Sequence, residues 1–478
     1  GVPANNLLVS SHSYGSSSSP NCDINGPLLT YNTTARNTDI VLNTNSNHLQ
    51  VHSAGNSAGV CPNGYLTITG SGKPAKNNLV VANITSAEAW SSSSSSGPVQ
   101  DGRIKPEISA MGNAVFSTST PTNTYATLSG TSMAAPGVAG SSALLYQRYK
   151  QLNGNAVPPS TLIKNIICNG AQDLGNPGPD YKFGFGRINA LTSVRILEDN
   201  RYALNSVANG AFNDIGITVP AGTARLKVML TWNDPAATAN ANPSLINNLD
   251  LTVSEGANVT LPWIVDKNNP AANATRAVDN YSNIEQVTID NPTAGSYVLR
   301  VNGTAVTTGP NQPYAISWTI DQPYIEVIYP NGGESFNPGS SQIITWDNAG
   351  VTGNQTVEYS LNGGGSWTTI GTVAANVTRL TWSVPAANTS TALVRVTSGS
   401  LTDNSDATFN IIGTPTGLNT SSATCNAGEV ILNWTAVANA TQYDVYRLDA
   451  TTGNYVLAMA DVTGTTATLT GLTPGSTV

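Results

Sequence analysis

Apolar residues along this chain follow one rhythm up to about residue 200 and another beyond it. In the first part, short continuous apolar runs, "NLLVSS", "HLQVHSAG" and "NLVVANI", stand apart from two segments with helical spacing. In "GTSMAAPGVAGSSALLYQRYK" small residues give way to Ala143, Leu144, Leu145 and Tyr146, which predicts a helix buried at its start and amphipathic later. In "PPSTLIKNIICNG" Ser160 stands as an N-cap, Leu162, Ile163, Ile166 and Ile167 share one helical face, and Asn169-Gly170 is a stop signal. Strands alternating with helices indicate an α/β layer fold with a parallel sheet.

After about Arg201 the helical spacing vanishes. "ARLKVMLTW", "LDLTVSE", "IEQVTID", "GSYVLRVNG" and "YAISWTI" read as period-two strands between turn residues, which predicts an antiparallel sandwich. A new unit opens at Tyr324 with "IEVIYPNGGESF" and runs through "QIITW", "TVEYSLNGGGSW", "RLTWSVP" and "ALVRVTS" to "ATFNII", the strand spacing of an immunoglobulin-like sandwich. "GTPTGL" then links to "VILNWTAV", "TQYDVYRLD" and "TATLTGLTPGSTV". The expected architecture is multidomain: an α/β part over 1–200, then three all-β sandwiches over 201–322, 323–413 and 414–478, the last one cut short.

Composition agrees with a mostly β chain. Of 478 residues only 10% are charged, and 44 Gly and 27 Pro supply turns. The net charge of -8 repels polyanions, so nucleic acid and anionic membrane surfaces are not expected partners. No apolar stretch reaches the length that spans a bilayer. Gly1 opens without a charged segment followed by an apolar one, and both ends of the chain look cut. Four cysteines, Cys22, Cys61, Cys168 and Cys425, are too few for a disulfide scaffold and form no C-x-x-C pair. Cys168 reads as a small buried hydrophobe. Cys22 with Cys61 is one pairing, and the three connectivities open to four cysteines stay undecided.

The chemistry concentrates in "GTSMAAPGVAG", Gly130 to Gly140. A Ser at the mouth of a helix has an exposed hydroxyl, and its N–H joins the positive end of the helix dipole, where a developing oxyanion gains most. Pro136 is read as tolerable because it lies close to the first turn. A bare G-x-S would be no more than the cap of an Ala-rich helix. The whole undecamer, however, resembles the nucleophile segment of the subtilases, subtilisin-like serine peptidases, which makes Ser132 the nucleophile by analogy. "HSAGNSAG", His52 to Gly59, resembles the family's strand ending in Ala-Gly-Asn. That resemblance implies Asn56 as the side-chain half of an oxyanion hole and Ser53, Ala54 and Gly55 as lining of the primary specificity pocket.

Three further stretches resemble the same family in the same order. "SSHSYG" matches a strand end that pairs with extended substrate, which implies Ser13, Tyr14 and Gly15 along the cleft. "SSSGPVQDGRIKPEISAMG" matches the Ser-x-Gly-Pro and Lys-Pro-Asp-Ile stretch, with Glu107 where the family has Asp. "YKFGFGRINA" matches the closing segment. The serine tract Ser91 to Ser96 lies inside this block, which argues against a flexible linker.

The family order is Asp, His, Ser, yet neither the Asp strand nor the His-Gly-Thr helix context occurs. His12, His48 and His52 read as structural histidines. Without a base Ser132 is not activated, so this chain is expected to be a subtilisin-like fragment, inactive alone, from an extracellular, bacterial, secreted endopeptidase. The alternative is an extracellular adhesin or binding protein with a degenerate peptidase-like domain. Residues 201–322 resemble the jelly-roll domain that follows the catalytic domain in one group of subtilases, and 414–478 resembles a fibronectin type III domain. No cofactor is required by this reading. Asp234, Asp250 and Asp279 near strand ends are weak candidates for structural Ca²⁺, against the plainer reading as turn and cap residues. Trp346, Trp367, Trp382 and Trp434 read as core residues. The expected partner is a protein or peptide bound as an extended strand, with a surface or polymeric substrate held by the C-terminal sandwiches.

Overall fold

Four short strands pair side by side in parallel, in the order β1 (Val9–His12), β2 (Leu49–Ser53), β3 (Leu79–Ile84) and β4 (Ile108–Met111). The computed structural model describes residues 7–15, 19–70, 72–121, 124–421, 428–438, 440–449 and 453–472. Parallel strands need crossovers. One crossover carries α1 (Thr33–Thr44), a helix that the apolar pattern did not announce. Its sequence "TTARNTDIVLNT" is rich in poor helix formers, and Asn32 starts it by accepting the Ala35 N–H at 2.9 Å.

After β4 comes a two-stranded ribbon, β5 (Val115–Ser119) and β6 (Thr124–Leu128), and then α2 (Thr131–Leu152), which packs on the parallel sheet. The next helix, α3 (Ser160–Asn169), differs from expectation in two ways. Ser160 is its first helical residue and makes no cap bond, Pro159 being the N-cap. Every residue of α3 is buried, not one face alone. The reason is what lies beyond it. After α4 (Ala190–Glu198) the chain forms β7 (Tyr202–Val207), β8 (Phe212–Val219), β9 (Arg225–Thr231), β10 (Asn248–Glu255), β11 (Asn258–Thr260), β12 (Trp263–Ile264), β13 (Thr275–Arg276), β14 (Ile284–Asp290), β15 (Gly295–Ala305) and β16 (Gln312–Asp321). These make two antiparallel four-stranded sheets, β14-β9-β16-β7 and β11-β10-β15-β8, with Trp232, Leu230, Leu251, Leu299 and Ile316 in a shared core. The polar residues of α3 are satisfied by that first sheet. Asn165 donates to the Met229 carbonyl at 2.8 Å and Asn169 to the Ser317 hydroxyl at 3.0 Å.

Residues 1–321 thus fold as one compact unit, and 322–478 form a second. In the second, strands Tyr324–Tyr329, Ser341–Ala349 and Arg379–Ser383 form one sheet, and Phe336, Trp346, Trp382 and Phe409 fill a core. Leu432, Trp434, Val445, Ala467 and Leu469 make a smaller core further along. Trp367 lies beneath the Arg395 guanidinium, 4.2 Å from its ring centre. Cys22 and Cys61 form a disulfide with Cα atoms 5.4 Å apart, and Cys168 is a buried thiol. Cys425 lies outside the described residues.

Buried charges hold the first unit together. Glu107 accepts the Val80 N–H at 2.8 Å, and its other oxygen pairs with Lys105 at 2.5 Å and Lys164 at 2.9 Å. Lys164, on α3, also donates to the carbonyls of Lys76 and Asn78. Removing one partner of such a cluster leaves a buried charge without compensation. Glu107→Gln is therefore expected to destabilise the first unit by about 3–5 kcal/mol, read from the urea unfolding midpoint and slope.

Candidate active site

Because β1, β2 and β3 run the same way, the loops after them open at one edge of the sheet, where ligands of such folds collect. The start of α2 lies at the same edge. Its N-cap, Gly130, has φ 151°, and a Cβ there would fall 3.2 Å from Asn56 Nδ2, so two constraints require glycine. Asn56 Oδ1 accepts both the Thr131 N–H at 3.0 Å and the Thr131 hydroxyl at 3.1 Å. An N–H can only donate, so the atom facing it is the oxygen and the NH₂ end is turned outward. The Thr131 hydroxyl accepts the Gly55 N–H at 3.1 Å in turn. Three consecutive contacts thus pin the Gly55–Asn56 turn, with Gly55 at φ 116°, onto the first residue of the helix.

Ser132 follows directly and is half-buried. Its N–H has no hydrogen-bond partner among the described residues and stands in the first turn of a 22-residue helix, at the positive end of the dipole. Its carbonyl is explained by Pro136. The proline is the sixth helical residue, just past the first turn, so the donor it lacks is the one that would have reached Ser132 O. Ser13 supplies the replacement, donating from its hydroxyl to Ser132 O at 3.2 Å. The end of β1 is thereby tied to the serine.

The expected site residues separate into groups. Ser132, Asn56, Ser13 and Gly55 come together through these bonds, and Gly15 joins them through Lys73, whose ammonium lies between the two glycines. Ser53 is buried, and the methyl of Ala54 sits in a closed cluster with Ile68, Val80 and Val99. The Ala54 side chain is therefore not offered to a substrate. Tyr14 is exposed, its hydroxyl 2.6 Å from His12 Nδ1. Thr131, Lys73 and Ser95 were not singled out from the sequence. Ser95 accepts the Ser57 N–H at 3.0 Å and its N–H reaches Gly55 O at 2.8 Å, so the end of the serine tract, Ser94 to Ser96, is a buried buttress. Only the Thr in Gly-Thr-Ser was there to signal it, as a side chain able to donate and accept at a crowded helix start.

None of the described hydrogen bonds joins a histidine to Ser132. His12 and His48 both bond the Ser10 hydroxyl, at 2.7 and 2.8 Å. His52 stacks on His12 with ring centres 4.5 Å apart, and burial pushes its pKa down to about 3, so it is neutral. The His12 and His52 rings face a cavity of about 660 Å³ between α1 and the β1–β2 face, which Ser132 and Asn56 do not line.

The calcium candidates do not form a set. Asp234 is buried in an ion pair with Lys76 and accepts the Ile246 and Asn247 N–H groups, so its oxygens are taken. Asp279 accepts from Tyr281 and Ser282 as a turn residue. Asp250 accepts the Thr304 hydroxyl. Among the described residues no group of three or more His, Cys, Asp or Glu is placed to hold a metal. Glu285, fully buried, accepts the Leu251 N–H at 2.7 Å, while its other oxygen has no partner among the described residues. Burial first, then Asp279 and Asp250, push its pKa well up.

Residues 3–186 match the family model described as Subtilase family. Among similar proteins, the serine protease/ABC transporter B family protein tagA of Dictyostelium discoideum is 26% identical over 259 residues, 46% of this chain and 15% of its own length. The PII-type proteinase of Lactococcus lactis subsp. cremoris is 39% identical over 121 residues, 22% of this chain and 6% of its own. Subtilisin DY of Bacillus licheniformis is 37% identical over 89 residues, 19% of this chain and 29% of its own. The chain spans less than a third of the length of each of these relatives.

Two outcomes are expected. Asn56→Ala removes the acceptor for Thr131 and costs about 1 kcal/mol in unfolding free energy, whereas Asn56→Asp keeps an acceptor at a helix N-terminus and costs nothing. For Glu285 the raised folded pKa means that stability present below its ordinary 4.5 is lost as pH rises toward the folded value. Glu285→Gln should melt like the wild type near pH 4 and above it at pH 8, as scanning calorimetry would show.

Proposed function

We propose that this chain is part of a secreted bacterial serine endopeptidase in which Ser132 is the nucleophile and Asn56 holds the oxyanion. The observation that carries this reading is the pair of bonds from Thr131 to Asn56 Oδ1, which leaves the Asn56 NH₂ as the free end of an amide bonded to the residue just before Ser132. Both donors are fixed before any reaction, so they stabilise the developing oxyanion without reorganisation. A peptide lies along Ser13, Tyr14 and Gly15 as an added strand. Ser132 attacks its carbonyl, the alkoxide is held by the two donors, the amine leaves, and water releases the acyl group.

The general base is a histidine outside this chain, since its own three histidines are occupied on another face. The chain alone therefore hydrolyses peptides slowly. We read 201–322 as a jelly roll, 323–413 as an immunoglobulin-like module and 414–478 as a fibronectin type III-like domain, which hold the peptidase near a surface or polymeric substrate. The lack of a histidine bonded to Ser132 favours one second reading, an extracellular binding protein on a degenerate peptidase fold.

The two differ in kinetics. In a longer protein carrying this chain with its Asp and His segments, Ser132→Ala is expected to abolish endopeptidase activity. Asn56→Ala should lower kcat by about 10²–10³ with little change in KM. Undiminished cleavage in either variant rules out the enzymatic reading.

A further inference from the structure

Four of the five buried cations of the first unit that bear on the fold are matched by carboxylates: Lys76 with Asp234, Arg103 with Asp101, and Lys105 and Lys164 with Glu107. Lys73 is the exception. It is 5% exposed, yet its ammonium has no ion pair and no hydrogen bond among the described residues. Burial alone lowers its pKa, to about 8, with no carboxylate near enough to oppose it. An ammonium on a side chain this buried is poorly hydrated and gains from a counter-charge.

The position of that ammonium is informative. A Cβ built on Gly15 would lie 2.9 Å from Lys73 Nζ, and one built on Gly55 would lie 3.2 Å from it. Nζ therefore sits between the two glycines that end the β1 and β2 loops, where any side chain at either position would displace or screen it. Gly55 is bonded through Thr131 to the start of α2, and Ser13, two residues before Gly15, is bonded to Ser132. The charge thus lies beside both of the loops that are bonded to the first turn of α2. His52 beside it is neutral and adds no competing charge.

We infer that Lys73 is the specificity-determining residue of this cleft and that it selects a glutamate or aspartate side chain at the residue whose carbonyl Ser132 attacks. This rests on the cleft reading given under the proposed function. The substrate carboxylate drops between Gly15 and Gly55 and supplies the missing counter-charge. At neutral pH the amine is still largely protonated, so the pair forms as an ammonium–carboxylate hydrogen bond.

The test uses the full chain with Ser132→Ala, so that peptides stay uncut, and acetylated hexapeptide amides Ala-Ala-Pro-X-Ala-Ala with X as Glu, Gln or Lys. Affinities are read by isothermal titration calorimetry at pH 7. The expected order is Glu over Gln by about 10- to 100-fold, with Lys weakest. Adding Lys73→Met, an apolar side chain of similar length, should erase the Glu advantage and leave the Gln affinity in place. Equal affinities for the three peptides, or a Glu preference that survives Lys73→Met, overturn the role of Lys73 and leave the cleft intact. Failure of every peptide to bind sinks the cleft itself, and this inference with it. The order in the Lys73 background needs no further variant, so a folding defect in Lys73→Met does not shelter the claim.

Discussion

One side-chain oxygen, Oδ1 of Asn56, holds the loop after β2 against the first turn of α2, and the arrangement of the candidate site depends on it. Its two donors both come from Thr131, one of them a backbone N–H with no helical partner. The bond therefore does two jobs. It satisfies a helix end that would otherwise be exposed or orphaned, and it leaves the NH₂ of Asn56 with one direction to face. Glycine at 130 and at 55 follows from the same closeness, since side chains there would strike Asn56, Ser95 or Lys73.

The second constraint is electrostatic. The first unit buries charged side chains in a core that also contains α3, and it does so in matched sets that span from the parallel sheet to the antiparallel one. Lys76 and Asp234 come from the two halves, and α3 sends Lys164 one way and Asn165 and Asn169 the other. A helix buried on all sides cannot face water if either half is removed. The α/β layer and the two antiparallel sheets after it accordingly pack as one compact unit over 1–321. Buried pairs of this kind add little net stability compared with apolar packing but are costly to break.

What the sequence made legible is local. The undecamer around Ser132 and the Ala-Gly-Asn turn could be read because their backbone demands, small residues and a turn after a strand, are written in consecutive positions. The strands beyond Arg201 could be read because alternation has a period of two whatever the partner. Long-range matters were hidden. Nothing near Ser13 indicates that it replaces the donor lost at Pro136, 123 residues later by number. Helix α1 was missed because its Thr and Asn residues score poorly and its stability comes from capping and packing. Ser160 resembled a cap, but the turn begins one residue earlier at Pro159. Lys73 and Thr131 gain meaning only when loops far apart in sequence meet.

The most direct measurement is an experimental structure of the chain with a peptide boronic acid, which adds to a serine hydroxyl and mimics the tetrahedral state. A covalent bond from boron to Ser132 Oγ, with one boronate oxygen within hydrogen-bond distance of both Asn56 Nδ2 and the Ser132 N–H, is the expected result. A boronate on Ser132 whose oxygens all point away from Asn56, or a peptide seated in a different groove, would contradict the convergence of these two groups on one oxygen.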